Sequence, residues 1–202
     1  MRLILASASP ARLQTLRSAG TFPEVVISEV DESQFAADTP THLACLLAEK
    51  KAEAVFANLG SPKDSIIIGC DSILDFEGKA QGKPGSKEAA ISLLKRTRRR
   101  SGVLVTGHHI IVSQDEVQRA NRAAKTIIHV ADLTDDEIDA YVTTGEPQHV
   151  AGGFTIDALG GPFITGIEGD PHNVVGLSLP LVRMMLADCG IQWTSLWTPH
   201  EG

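Results

Sequence analysis

Cysteine is scarce. Three residues among 202, at positions 45, 70 and 189, lie far apart and match no metal-ligand spacing. An odd, scattered set excludes a disulfide framework and reads as reduced thiols, small buried side chains in a cytoplasmic protein. No apolar run approaches the ~20 residues that span a bilayer. No basic segment followed by a long apolar stretch marks a secretory leader, so no membrane partner is expected. Positive charge is short as well: 18 Lys and Arg against 25 Asp and Glu give a net charge of −7, unlike a dedicated nucleic-acid binder. No G-x-x-x-x-G-K-[ST] occurs, so any phosphate site here is not a Walker loop. Repeats and low-complexity linkers are also missing, which predicts a single domain over residues 1–202.

What is present is 43% apolar residues, enough for a sizeable core, in an alternation of strand and helix signals. Residues 2–6 predict a buried strand; Ser9-Pro10 then opens a helix that Gly20 closes. A second strand is expected over 24–30, and a helix from Thr39-Pro40 to about Ala57. "DSIIIGCDSILDF" (64–76) reads as a buried strand ending in a turn at Glu77-Gly78. Ser86 caps a helix with Ala89, Ala90, Leu93 and Leu94 inward. "VLVTGHHIIV" and "KTIIHVADL" predict two long strands, and Thr134 with Glu137 forms a capping box for a helix through Tyr141. The glycine-rich segment 145–169 predicts short strands between sharp turns. Ser178-Leu179-Pro180 opens a last helix, closed by Gly190, and "QWTSLW" (192–197) predicts a short strand. The fold class is therefore α/β with a mixed sheet flanked by helices.

The chemistry concentrates in a few places. In "LASASPARL" a strand runs straight into a helix N-terminus, where free N–H groups and the helix dipole favour an anion. Ser7 and Ser9 add hydroxyls and Arg12 a charge, although capping alone also accounts for the spacing. Asp71, placed at a strand end, needs a partner, water or a metal to offset burial. Glu32 in "VDES" is a second carboxylate that could share a divalent cation with it. Lys83 sits in "QGKPG". Lys50 and Lys51 flank the Leu43–Leu47–Ala54 stripe of their helix on opposite sides, and periodicity does not choose between them. "KRTRRR" (95–100) reads as a solvated helix end. His108 and His109 point to opposite faces of a strand and make a poor metal pair; His149 and His172 are candidates to line a cleft.

In this order the motifs "LILASASPARLQTL", "DES", "LAEKKAEAV", "IIIGCDSIL", "GKP", "LTDDEIDAYVTTGEP" and "GIEGDPHNVVGLSL" resemble the Maf family of nucleoside triphosphate pyrophosphatases, in the variant usual in actinobacteria. The resemblance spans nearly the whole chain. It implies a curved mixed sheet with two lobes around a central cleft, of the Maf/ITPase-like kind, in a cytoplasmic homodimer. It also implies hydrolysis of a nucleoside triphosphate to monophosphate and pyrophosphate with Mg²⁺, Mn²⁺ or Co²⁺. Carried over by motif, Asp71 activates water; Ser7, Ser9, Arg12, Lys51, Ser72 and Lys83 hold phosphates; Glu32 and Asp71 take the metal. The lysine that directly precedes alanine in the family motif selects Lys51 over Lys50. Ala11 stands where the family usually has arginine, Ser72 where it has threonine, and Val150 and Asp157 where the thymidine/uridine type has lysine and glutamine. A nucleotide-binding regulator of cell division with little turnover is the alternative, and the retained Asp71 and Lys83 speak against it.

Overall fold

The computed structural model describes residues 1–197. Among the described residues seven strands form one mixed sheet: β1 (Arg2–Ala6), β2 (Glu24–Val25), β3 (Ser65–Phe76), β4 (Lys79–Gln81), β5 (Ser101–Ser113), β6 (Val117–Val130) and β7 (Ile164–Glu168). Their order is β2-β1-β3-β5-β6-β7, with β4 paired to β3. β1 runs parallel to β2 and β3, and the other pairs are antiparallel. Six helices surround the sheet: α1 (Pro10–Ser18), α2 (Pro40–Asn58), α3 (Lys87–Thr97), α4 (Asp135–Thr143), α5 (Pro171–Val175) and α6 (Leu179–Asp188).

The pairing of β3 creates the feature that matters. One edge is paired to β5 from Ser65 to Asp75. On the other edge β1 covers Ser65–Gly69, and β4 covers Leu74–Phe76. Between them residues 70–73 have no strand partner on that side among the described residues, so the sheet has a seam. Asp71 stands in this seam, in the middle of a long strand rather than at the strand end expected from sequence.

Helix α2 lies on one face of the sheet at unusually short range. A Cβ at Gly69 would come 2.3 Å from the Ala48 carbonyl oxygen, and one at Gly107 2.2 Å from that of Ala44. Ala44, Ala48 and Ala52 form the fully buried contact stripe. The buried face of α2 also includes Leu47, Lys51, Val55 and Phe56, whereas Leu43 and Ala54 are only half-buried. The true stripe is thus rotated from the expected one, and the rotation turns Lys51 inward and Lys50 outward. The opposite sheet face packs Leu5, Ile66, Ile68 and Ile110 against Leu16 of α1 and Val182, Met185 and Leu186 of α6.

Several sequence expectations need correction. The second strand is only Glu24–Val25; residues 27–30 line the cleft instead, and Glu29 among them has a left-handed φ of 51°. Segment 145–169 holds three 3₁₀ turns and a single strand, β7. Gly145, Gly152 and Gly153 have positive φ there, and Glu146 gathers Tyr141 Oη, Thr155 Oγ1 and two backbone N–H groups onto its carboxylate. "QWTSLW" is a 3₁₀ turn, Trp193–Leu196, packed on the core. Ala89 is exposed. β6 begins eight residues before "KTIIHVADL" in a polar stretch that β5 recruits by pairing, and α5 lay in no expected helix. The basic run does close α3: Lys95 and Arg98 pair with Asp135, Arg99 with Asp132, and Arg100 with Glu77 while lying over the Phe76 ring.

Gly107→Ala is expected to lower unfolding stability by about 3 kcal/mol, because the new methyl meets helix backbone that cannot yield cheaply. Gly82→Ala, where a Cβ meets nothing within 4 Å, serves as the control with little change; urea denaturation measures both.

Candidate active site

The seam is filled by Arg12. Ser9 caps α1, its hydroxyl accepting from the Arg12 N–H at 3.4 Å, and Pro10 fixes the first helical residue. This capping aims the Arg12 side chain back across the end of β1. Its Nη1 donates to Ser7 Oγ (3.1 Å) and to the Cys70 carbonyl in the seam (2.9 Å), its Nη2 to Ser72 Oγ (3.0 Å), and its Nε to the Gly176 carbonyl (2.7 Å). Four of the five guanidinium N–H donors therefore bind protein atoms in a buried position. Arg12 adds a positive charge to the site mainly by building it, with a single N–H left for a ligand.

Asp71 projects toward α2. Lys51 Nζ lies 2.5 Å from its Oδ1 and 2.7 Å from Glu32 Oε1. The Lys51 and Asp71 side chains are about 11% and 10% exposed, Glu32 about half. Burial pushes the Asp71 carboxyl above its ordinary value, against the opposing pull of Lys51 and Arg12. The group thus has more affinity for a proton than a surface aspartate, while staying within reach of solvent through the cleft.

That cleft has a volume of ≈ 580 Å³, and every residue carried into the site by sequence lines it: Ser7, Ser9, Arg12, Glu32, Lys51, Asp71, Ser72 and Lys83. Ser72 Oγ is shared between Arg12 and Thr106. Lys83 is exposed and has no ion pair or side-chain hydrogen bond among the described residues. The loop that carries it is tied to the glycine-rich segment, Gly85 N donating to the Gln148 carbonyl and Gly152 N to that of Gly82. His149, Val150 and Asp157 also line the cleft, whereas His172 lines a neighbouring hollow.

Two carboxylates converge on one cation, with Lys51 Nζ in that place. Their oxygens suit a hard divalent ion, and among the described residues no cluster of three or more His, Cys, Asp or Glu exists to complete a cage. That donor set matches an ion of the Mg²⁺ kind, which takes one or two carboxylates and completes its shell with phosphate and water. The residues fit.

Three supporting residues carry no signature in the sequence. His108 Nε2 accepts the Ser178 N–H at 2.9 Å, and its Nδ1 lies 3.0 Å from the Thr106 carbonyl, so the ring is neutral with its proton on Nδ1. Asn173 Nδ2 donates to the Leu104 carbonyl and to Thr126 Oγ1, and Thr106 Oγ1 donates to the Asn173 carbonyl. Together they fasten segment 173–178, whose Gly176 faces Arg12. A Cβ at Gly176, where φ is +116°, would meet Arg12 Nε at 3.1 Å.

Residues 2–189 match the Maf-like protein family. A Salinispora tropica protein named nucleoside triphosphate pyrophosphatase is 51% identical over 200 residues, 98% of this chain and 88% of that one. A Streptomyces avermitilis protein of the same name is 49% identical over 200 residues, 99% and 96% of the two chains. Among solved structures, the Staphylococcus aureus Ham1 protein superposes with a TM-score of 0.50 at 15% identity over 93% of this chain and 99% of that one, a likeness of fold alone.

Burial pushes His108 from its ordinary 6.5 down to about 4. The unfolded chain therefore binds more protons than the folded one between those values. The stability tied to neutral His108 is complete above about pH 6.5 and is lost as pH falls toward 4, by up to about 3 kcal/mol. Urea unfolding of the wild type should weaken more steeply across that window than unfolding of His108→Gln.

Proposed function

We propose a function from one premise: the chain belongs to the Maf-like protein family. It is an enzyme, a nucleoside triphosphate pyrophosphatase that hydrolyses the α–β phosphoanhydride to monophosphate and pyrophosphate. The observation that carries this is Asp71, a buried carboxylate with raised proton affinity held against Lys51 in a cationic, hydroxyl-lined cleft. A protein that only binds nucleotide has no use for such a base.

The triphosphate lies at the N-terminus of α1, where Ser7 and Ser9 hydroxyls and the helix dipole receive its oxygens. Lys83 supplies an exposed charge, and Lys51 a buried one. Arg12 holds the corner rigid, so that the donors do not reorganise as charge develops. Asp71 orients a water and takes its proton as the water oxygen bonds to the α-phosphorus; the bond from that phosphorus to the α–β bridging oxygen breaks and pyrophosphate leaves. A divalent ion such as Mg²⁺, Mn²⁺ or Co²⁺, held by Glu32 and Asp71, would neutralise phosphate charge when bound. Lys51 occupies the position between those carboxylates, so ion and lysine must share them.

The setting supports a cytoplasmic homodimer. Cys45, Cys70 and Cys189 are free thiols. Among the described residues no helix is long and apolar enough to cross a membrane. The sheet edge at β2 exposes Val25 and, just beyond it, Ile27, apolar surface that a second copy would cover.

Asp71→Asn should lower turnover at least ~100-fold while nucleotide binding survives. Because the folded environment disfavours the ionised carboxylate, stability falls as pH rises from the unfolded value of 3.8 through the higher folded one, and the cost is complete above it. The same variant should therefore melt higher than wild type near neutral pH. A pyrophosphate-release assay and a thermal melt check the two halves, and wild-type turnover in the variant would remove Asp71 from its role.

A further inference from the structure

Ser72 and Thr106 stand opposite each other on β3 and β5, and the pairing fixes where one proton points. Thr106 is fully buried, as is Asn173. Thr106 Oγ1 lies 3.2 Å from the Asn173 carbonyl oxygen, which has no proton to give, so the Thr106 hydroxyl donates there. That carbonyl is held in place. Gly176 N also donates to it (3.0 Å), and Asn173 Nδ2 donates to the Leu104 carbonyl and to Thr126 Oγ1, each at 3.1 Å. A hydroxyl has a single proton. The proton in the 2.9 Å contact between Ser72 Oγ and Thr106 Oγ1 therefore comes from Ser72. On its other side Ser72 Oγ accepts from Arg12 Nη2, a group that only donates. The donors run one way, from Arg12 to Ser72 to Thr106 to the Asn173 carbonyl.

We propose that Thr106 is a positioning residue that acts through Ser72: by taking the Ser72 proton it keeps that hydroxyl off the phosphates and reserves it for Arg12, an inference that rests on the pyrophosphatase reading above. Ser72 is half-buried and lines the cleft beside Asp71. With its proton committed, it meets the cleft as an acceptor only, and a phosphate oxygen needs a donor. A Ser72 hydroxyl free to turn would donate to the triphosphate on arrival, tightening the ground state without favouring the transition state. It would also loosen its hold on Arg12 Nη2. Held as an acceptor, Ser72 gives the guanidinium one fixed arrangement before substrate binds. Valine at position 106 keeps the shape of threonine but accepts no hydrogen bond, so it turns the Ser72 proton toward the cleft.

The test pairs calorimetric binding of inorganic tripolyphosphate, with EDTA present, with steady-state pyrophosphate release from ATP, GTP, CTP and UTP. The proteins are the wild type, Thr106→Val, Thr106→Ser, Ser72→Ala and the double variant Thr106→Val with Ser72→Ala. Thr106→Val should bind tripolyphosphate at least ~5-fold tighter, as a new hydrogen bond to a charged group is worth. Its KM and kcat should fall together, the mark of a tightened ground state, whereas loosened packing alone would raise KM. Thr106→Ser, which keeps the hydroxyl, should restore both. On the Ser72→Ala background Thr106→Val should bring no gain, because the effect needs the Ser72 proton. Thermal melts check folding, and Thr106→Ala takes the place of Thr106→Val if valine does not fold. Weaker or unchanged tripolyphosphate binding in Thr106→Val, or a gain that persists without the Ser72 hydroxyl, overturns the assignment. If the wild type releases no pyrophosphate, yet tripolyphosphate binding changes as stated, the hydrolase reading falls and the role of Thr106 stands.

Discussion

A carboxylate moved from water into a protein interior costs several kcal/mol unless it is paired, and Asp71 is buried. The groups around it are arranged to offset that cost without cancelling it. Lys51 reaches it from α2 only because Gly69 and Gly107 let the helix backbone lie against the sheet. Arg12 adds a second positive charge from the seam but binds backbone and hydroxyl oxygens there rather than the carboxylate. The balance leaves Asp71 more ready to hold a proton than a surface aspartate, which is the property a water-activating base needs.

Much of this was legible in the chain because each element announces itself locally. Ser9-Pro10 marks the start of α1, and the helix observed there begins at Pro10. The six residues around "IIIGCD" form a buried strand, and the eight residues assigned to the site all meet in one cleft. What periodicity alone left open was the choice between Lys50 and Lys51. A small-residue stripe, Ala44–Ala48–Ala52, sets the buried face of α2, and it is set by glycines on β3 and β5 that are far away in sequence. The stripe of Leu43, Leu47 and Ala54 is rotated from that face, with Leu47 buried and Leu43 and Ala54 half-buried.

The rest was hidden for comparable reasons. Arg12 reads in sequence as a phosphate ligand; of its protein partners Ser7 is close in sequence, whereas Gly176, Ser72 and Cys70 lie 164, 60 and 58 positions away, contacts that no local pattern encodes. His108 and Asn173 act through single buried hydrogen bonds to neighbouring elements, without motif or spacing. The glycine-rich segment lacks the regular alternation of a sheet because Glu146 organises it around one carboxylate. This irregular segment then supplies Phe154 and Asp157 to the cleft. Regular structure builds the end of the cleft around Arg12 and Asp71, and irregular structure builds the other end.

At Asp71 burial outweighs two nearby cations and keeps the proton affinity of the carboxyl high. Carbon-13 NMR titration of the Asp71 carboxyl, in the wild type without nucleotide, measures this directly. A midpoint above the ordinary aspartate value of 3.8 is expected. A midpoint at or below 3.8 would mean that Lys51 and Arg12 dominate, leaving Asp71 a fixed counter-ion rather than the base.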